Sequence, residues 1–227
     1  DEKAGAGFKP AGSIEEAEKF AKNLTNLESK IPTVKYGKIS LKNANILNKK
    51  LDNLIKRHGV KPDCIYSGKE FEKMVKKYFP NQSINKIREN VYAMVQPYVE
   101  GKKKKLAMVF NENYFASGKE KILKESLKLS KELNFSRLDT VEHIFSHEYG
   151  HVLDKIGKGL KGKYADSKEF FGIIKDITKS NYTVKERISG YAETSLREAW
   201  AEAFCIYKEK PNILYPELKK VIEELLK

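Results

Sequence analysis

The chain has 227 residues, of which 40% are hydrophobic and 33% are charged, and it carries a formal net charge of +13. A chain of this length and composition can bury a hydrophobic core as one large domain or two small ones. Only two cysteines occur, Cys64 and Cys205, which argues against a disulfide framework and a cysteine-type zinc site. We expect two buried thiols, and a single disulfide between them is the alternative. No apolar run approaches the roughly 18 to 20 residues of a membrane span, so we expect no membrane partner.

The positive charge comes mainly from lysines that are spread along the chain rather than gathered in one arm. Their one dense run, Lys102 to Lys105, lies between two strand-like segments and is predicted to be a solvated hairpin turn. Nucleic acid is therefore not the expected partner, and a nucleic-acid-binding protein would need its lysines on one face. Because the chain begins at Asp1, without Met or a signal-peptide pattern, we expect it to be part of a larger polypeptide.

The first half of the chain is predicted to combine helices with short strands. Residues 1–12 are expected to be a mobile lead-in, and Ser13, Ser40 and Ser67 stand where helix N-caps are expected. The predicted helices cover about 13–29, 40–58 and 67–79, and the predicted strands cover about 31–37, 64–66, 91–99 and 106–110. Pro97 favours either an edge position or a bulge at the end of the third strand, and an edge strand could hold an extended substrate by strand addition.

The second half is predicted to be helical. Amphipathic spacing predicts helices over about 118–133, 139–157, 167–179 and 195–208 and from about 216, with a short helical or irregular link over 183–189. Asp139 with Glu142 and Ser195 with Glu198 have capping-box spacing, and glycines 157, 159 and 162 mark a loop. We predict an α+β fold, mainly helical with a small mixed sheet, in which residues 13–227 form a single domain.

A short motif dominates the chemistry of the predicted helix over 139–157. His147, Glu148 and His151 form the pattern H-E-x-x-H, and chance would give roughly 0.01 such matches in a chain of this composition. On a helix, residues four apart share a face, so both imidazoles can reach one metal ion. Glu148 could then take a proton from a water molecule held by that ion. The pattern therefore predicts a catalytic Zn²⁺ site with Glu148 as general base.

A catalytic zinc site takes three protein ligands and keeps one position open, so a third group must come from elsewhere in the chain. The candidates by residue type are His143, Asp154, Glu193, Glu198 and Glu202. His143 is expected to be a neighbour rather than a ligand, because one helix cannot easily wrap three successive turns around one ion. Glu198 and Glu202 share a helix face, so one can bind the metal while the other accepts a hydrogen bond from a ligand imidazole.

Two segments, residues 147–154 and 189–204, together resemble the catalytic halves of the lethal-factor-type zinc metallopeptidases. The family pattern is H-E-x-G-H-x-x-D followed by a segment like Y-x-x-T/S-x-x-E-x-x-A-E-x-F. The resemblance implies a zincin-like domain with the following roles: His147, His151 and Glu198 as zinc ligands, Glu148 as base, Tyr191 as the phenol that supports the oxyanion, and Glu202 and Asp154 as supporting groups behind the ligands. Trp200 stands where the family often has Phe, and Ser195 stands where Asn is common.

Residues 7–18 resemble the segment F-x-P-A-x-x-I-x-E-A that precedes zincin-like domains of phage minor head proteins. The two resemblances together imply a zinc-dependent endopeptidase that hydrolyses a protein or peptide substrate, either as a secreted or delivered effector or in association with a phage particle. The alternative from a different class is a catalytically silent module that keeps the same fold for structural or binding work. Completeness of the site distinguishes the two, and all the positions implied for catalysis carry competent residues here.

Overall fold

A computed structural model describes residues 8–24, 30–155 and 162–227. The chain divides into two compact units, residues 1–120 and 121–227, and each is described by itself. The architecture is α+β, with many helices and one four-stranded mixed sheet, as the sequence predicts. The assignment of 13–227 to a single zincin-like domain stays a prediction.

The first unit contains the sheet. Its described helices are α1 Ile14–Lys22, α2 Leu41–His58, α3 Lys69–Tyr78, α4 Ile84–Asn90 and α5 Glu112–Phe115. Its strands are β1 Thr33–Lys35, β2 Cys64–Ser67, β3 Ala93–Glu100 and β4 Lys103–Phe110, in the order β1-β2-β4-β3. The pairs β1–β2 and β2–β4 are parallel, and β3–β4 is antiparallel. All four predicted strands are confirmed, and β3, which carries Pro97, lies at an edge of this sheet.

Local signals explain most helix boundaries in this unit. The hydroxyl of Ser13 accepts a hydrogen bond from Glu16 N, and Ser40 caps α2 in the same way. Gly59 ends α2 in the left-handed conformation, with φ of 67°. Residues 1–7 of the predicted lead-in lie outside the described residues. Its remaining part is anchored, because Ala11 and Asn45 exchange two hydrogen bonds.

Three boundaries differ from prediction. The first helix ends at Lys22 rather than near 29, and residues 25–29 lie outside the described part. Ser67 is the last residue of β2, and its hydroxyl donates to the carbonyl of Tyr36 instead of capping α3. Gly68 provides the entrance to α3, with φ of 61°.

Further differences lie between 80 and 120. The hairpin turn is formed by Gly101 and Lys102, whereas the following three lysines belong to β4. Helices α4 and α5 were not predicted, because segments of seven and four residues are too short for a clear periodic pattern. Both helices flank the paired strands β3 and β4. Side chains of α3 and α4 pack on one face of the sheet and form a hydrophobic core with it. The buried residues of this core are Cys64, Phe71, Val75, Ile87, Ala107 and Val109.

The second unit is helical in its described part. Its helices are α6 Glu120–Glu132, α7 Val141–Lys155, α8 Lys168–Lys179, α9 Val184–Arg187, α10 Leu196–Glu209 and α11 Pro216–Leu225, with a 3-10 turn at Tyr191–Thr194. The helices agree with the predicted ones, whereas the 3-10 turn was not predicted. The predicted end of the motif helix at Gly157, and the loop glycines 157 and 159, lie outside the described residues.

Two caps in this unit differ from prediction. Thr140, not Asp139, accepts a hydrogen bond from His143 N at the start of α7, while Asp139 pairs with Lys131 at 3.0 Å. Ser195 caps α10 as predicted, but the carboxylate of Glu198 serves another purpose, described below.

Both cysteines are buried and free, as predicted, so no bridge joins them. None of the helices in residues 8–24, 30–155 and 162–227 combines the length and apolar character that crossing a membrane requires.

Candidate metal centre

The centre is built on the close approach of α7 and α10. A β-carbon at Gly150 would lie 3.1 Å from the Cα of Ala201 and 3.3 Å from Phe204, so only glycine allows this spacing without displacement. Beside it, the indole nitrogen of Trp200 donates to the carbonyl of Gly150 at 3.0 Å. The ring of Tyr164 stacks on Trp200 at 4.7 Å. The fourth residue of the motif therefore brings α10 within reach of the histidines of α7.

Three side chains converge at this contact. The Oε2 atom of Glu198 lies 3.1 Å from Nε2 of His147 and 3.1 Å from Nε2 of His151. One ligand atom from each of the three residues lies within 4.8 Å of the others. Both imidazoles are buried, and the side chain of Glu198 is 22% exposed. His147, His151 and Glu198 are thus close enough to hold a metal ion.

The other carboxylate of α10 orients one of these imidazoles. Oε1 of Glu202, which is buried, lies 2.8 Å from Nδ1 of His147. Because an ionised carboxylate only accepts hydrogen bonds, Nδ1 must carry the hydrogen, and Nε2 is left as the nitrogen that faces Glu198. Supporting carboxylates of this kind hold metal-binding histidines in the tautomer that a metal needs. Helix spacing alone left open which of Glu198 and Glu202 joins the two histidines, and only the family resemblance chose between them. The geometry assigns Glu198 to the cluster.

Electrostatics agree with a cation at this position. Burial by itself lowers the pKa of His147, but hydrogen bonds to Glu198 and Glu202 outweigh it and raise the pKa well above its usual range. Burial raises the pKa of Glu198, and its bonds to His147 and His151 reverse this and leave the pKa far below its usual range. The pKa of Glu202 is also lowered, since the bond to His147 overcomes burial. The two carboxylates thus favour a positive charge on His147, which lies within hydrogen-bond distance of both.

The donor set fits a divalent metal that binds nitrogen and oxygen. Two imidazole nitrogens and one carboxylate oxygen form one of the known three-ligand sets of catalytic zinc, which leaves a fourth position open. The Nδ1 atom of His151 is buried without a hydrogen-bond partner among the described residues. His143, a sequence candidate, is not a member of the cluster found in the described chain, as predicted. Glu193 is also elsewhere, and its carboxylate accepts from Lys185 N at 3.2 Å.

Two further predicted residues lie beside the cluster. Glu148 is buried on α7, and its negative charge acts on both His147 and Tyr191. The ring of Tyr191 stacks on His147 with centroids 5.6 Å apart. Burial is the main cause that raises the pKa of Tyr191, followed by the charge of Glu198, so the phenol stays protonated and able to donate. The structure therefore places the predicted base and the predicted phenol beside the three residues that are close enough to hold a metal ion.

Asp154 contacts a different part of the unit. Its Oδ1 accepts hydrogen bonds from the backbone N–H groups of Tyr164 and Ala165, each at 2.8 Å. A β-carbon at Gly162 would lie 2.3 Å from its Oδ2. The contacts of Asp154 are thus with the chain that follows α7, and no imidazole is among those seen in the described residues. Its carboxylate positions that chain segment, and its role behind the metal ligands stays a prediction.

The sequence did not predict that residues 134–137 fix the backbone of the segment that contains Tyr191. Gly190 N donates to the carbonyl of Asn134, and Tyr191 N donates to the carbonyl of Phe135, both at 2.9 Å. The Nε of Arg137 donates to the carbonyl of Ile188 at 2.9 Å. The one available signal was the pair Asn134-Phe135 after the lysine-rich helix, since Asn tolerates the left-handed conformation that it adopts here, with φ of 57°.

Comparison with known proteins gives no relative for this chain: no family model, curated protein or solved structure matches it.

Proposed function

We propose that the protein is a zinc-dependent endopeptidase with a zincin-like fold, which hydrolyses peptide bonds of a protein or peptide substrate. The observation that carries the proposal is the position of Glu198 Oε2, 3.1 Å from Nε2 of both His147 and His151. An H-E-x-x-H helix and a carboxylate from a second helix form the ligand set of a zinc peptidase, and the resemblance to lethal-factor-type enzymes points the same way.

His147, His151 and Glu198 would hold the zinc ion. When bound, zinc supplies Lewis acidity, which makes a water molecule easier to deprotonate and a carbonyl group more electrophilic. Glu202 keeps the hydrogen of His147 on Nδ1, so that Nε2 offers its lone pair. The role of these four residues is to hold charge and orientation constant while the substrate reacts.

Two residues of the chain would handle protons and developing charge. The carboxylate of Glu148 accepts the proton from the attacking water and returns it to the nitrogen of the leaving amine. The phenol of Tyr191 donates a hydrogen bond to the carbonyl oxygen of the scissile peptide as negative charge develops there. Its position is suited to this task, because it is protonated, partly buried and stacked on a ligand imidazole.

The proposal is tested first by metal content. The purified protein should bind about one zinc ion per chain, and Glu198→Ala should bind it far more weakly. Glu193→Ala is the matched control, because Glu193 is a nearby carboxylate of the 3-10 turn whose contact is with the backbone of Lys185. Full zinc occupancy in Glu198→Ala at limiting zinc would refute the third ligand.

Activity is tested with the zinc-loaded protein and a random peptide library analysed by mass spectrometry. The unmodified protein should cleave members of the library, and Glu148→Gln should keep its zinc but lose cleavage by at least about 100-fold. Equal cleavage by Glu148→Gln would rule out the base. If the protein binds zinc tightly and cleaves nothing, it is the catalytically silent module instead.

A further inference from the structure

The backbone of residues 134–137 is fixed against the segment that carries Tyr191. Besides the two hydrogen bonds that join Asn134 and Phe135 to Gly190 and Tyr191, the N–H of Phe135 donates to the carbonyl of Ser130 at 2.9 Å. A β-carbon at Gly190 would lie 3.0 Å from the Asn134 oxygen and 3.3 Å from the Phe135 Cα. The approach is therefore as close as two chain segments allow, and Phe135 is held at both its backbone groups.

The side chain of Phe135 continues a row of rings that begins at the metal centre. Tyr191 stacks on His147 with centroids 5.6 Å apart, and Phe135 packs on Tyr191 with centroids 5.0 Å apart. Whereas His147 is buried, Phe135 is 47% exposed. The outer end of the row is an apolar surface that the chain itself leaves in contact with solvent. Leu133, two residues earlier, is also exposed.

We propose that the exposed face of Phe135 binds an apolar side chain of the substrate close to the scissile bond, which makes Phe135 a specificity-determining residue. This inference rests on the proposed peptidase function. The two centroid distances place Phe135 within about 11 Å of His147, a span that an extended peptide covers in about three residues. The side chain in question therefore belongs to one of the three residues on one side of the scissile bond.

The chemistry of the ring selects the kind of side chain. A half-exposed phenyl ring has no hydrogen-bonding group to offer, so it favours large apolar or aromatic groups, which remove its face from water. Phe135 packs against Tyr191, whose phenol would support the oxyanion. A substrate side chain bound on Phe135 therefore lies next to a catalytic group, and this couples substrate recognition to catalysis. If Phe135 served only to hold Tyr191 in place, the protein would show no preference among substrates that depends on Phe135.

The direct test measures binding rather than turnover. The zinc-loaded full chain is titrated with alanine tripeptides that carry a zinc-chelating hydroxamate at either the carboxyl or the amino end. In each series Phe replaces one alanine at a time. At least one Phe-containing peptide should bind about tenfold more tightly than its all-alanine parent. In Phe135→Ala the advantage of that peptide over its all-alanine parent should fall to about threefold or less.

The matched control is Phe171→Ala on α8, because Phe171 is 50% exposed and has no ring contact with Tyr191 among those seen in the described residues. It should keep the full advantage for Phe. The inference is overturned if Phe135→Ala keeps the advantage, if it weakens every peptide equally, or if the unmodified protein shows no preference for Phe.

Library digestion separates this inference from the proposed function. Cleavage without a Phe135-dependent preference would leave the peptidase standing and remove the role of Phe135. A Phe135-dependent preference in a protein that binds zinc but cleaves nothing would sustain the binding surface and refute the peptidase.

Discussion

The Cα of Ala201 lies where it would be only 3.1 Å from a β-carbon on Gly150, so α7 and α10 approach through the backbone beside the candidate metal centre. We expect Gly150→Ala to push the helices apart and to move Glu198 away from the histidines. The free energy of unfolding should fall by about 1–3 kcal/mol, and zinc affinity should fall with it. Chemical denaturation and zinc competition with a chelating dye measure the two effects.

Gly172→Ala is the control for that change. Gly172 lies inside α8, and a β-carbon there would meet nothing within 4 Å. Because alanine restricts the unfolded chain more than glycine does, this variant should gain about 0.5–1 kcal/mol of stability. A change in the free energy of unfolding of Gly150→Ala that equals the change in Gly172→Ala would contradict the close-packing explanation.

Replacing Glu202 and Asp154 by alanine should affect two different properties of the protein, zinc affinity and stability. Glu202→Ala removes the acceptor of the Nδ1 hydrogen of His147, so zinc affinity should fall about 10–100-fold. Asp154→Ala leaves the N–H groups of Tyr164 and Ala165 unpaired and should cost roughly 2 kcal/mol of stability, with little change in zinc affinity. A comparable loss of zinc in both variants would instead give Asp154 a role behind the ligands.

Tyr191→Phe keeps the ring that stacks on His147 and removes only the phenol oxygen. If the phenol supports the developing oxyanion, kcat should fall about 100- to 1000-fold, while KM and zinc affinity stay nearly constant. Steady-state kinetics on a peptide from the library digest provide the measurement. Tyr182→Phe, at a half-exposed tyrosine, controls for the loss of a phenol. A change confined to KM would assign Tyr191 to substrate binding alone.

Zinc binding should release protons at neutral pH. The bonds of His147 to Glu198 and Glu202 outweigh burial and raise its pKa well above the usual range, so the metal-free protein carries a proton there at pH 7. Zinc binds only the neutral imidazole nitrogen, and about one proton per ion should therefore leave. Calorimetry in buffers with different ionisation enthalpies counts it. Glu202→Gln, which removes a negative charge beside His147, should release fewer protons.

Acid should destabilise the metal-free protein through His143. Burial lowers the pKa of this imidazole from 6.5 to about 4. The unfolded chain thus takes up a proton as pH falls below 6.5, whereas the folded chain does so only near pH 4. The free energy of unfolding therefore has its full value above pH 6.5 and declines as pH falls, by on the order of 3 kcal/mol in total.

The contribution of His143 can be isolated between pH 6.5 and 5. The folded state keeps His147 protonated throughout that window, because its folded pKa is raised, and the unfolded state protonates it as pH falls below 6.5. Its effect on the slope therefore fades toward pH 5 and is common to both proteins compared below. Urea denaturation of His143→Leu should show a clearly flatter dependence on pH than the unmodified protein. The same slope in both proteins would mean that another group is responsible.

Local sequence signals predicted the elements well where they act within one turn of helix. Ser13, Ser40 and Ser195 cap the helices that they were expected to cap. The signal failed where a competing contact was stronger. Ser67 completes a strand, because its hydroxyl finds the carbonyl of Tyr36. The short helices α4 and α5 were missed because seven and four residues are too few for a clear periodic pattern.

The sequence by itself determined that His147 and His151 share one helix face and that Glu198 and Glu202 share another, because both pairs are four residues apart. Only the tertiary structure decided which carboxylate meets which nitrogen: Glu198 lies 3.1 Å from both imidazoles, and Glu202 lies 2.8 Å from Nδ1 of His147. It also placed the carboxylate of Asp154 against the chain that follows α7, and Phe135 beside Tyr191. The physical reason is that spacing along a helix fixes direction only, whereas distances between helices depend on contacts such as that of Gly150 with Ala201.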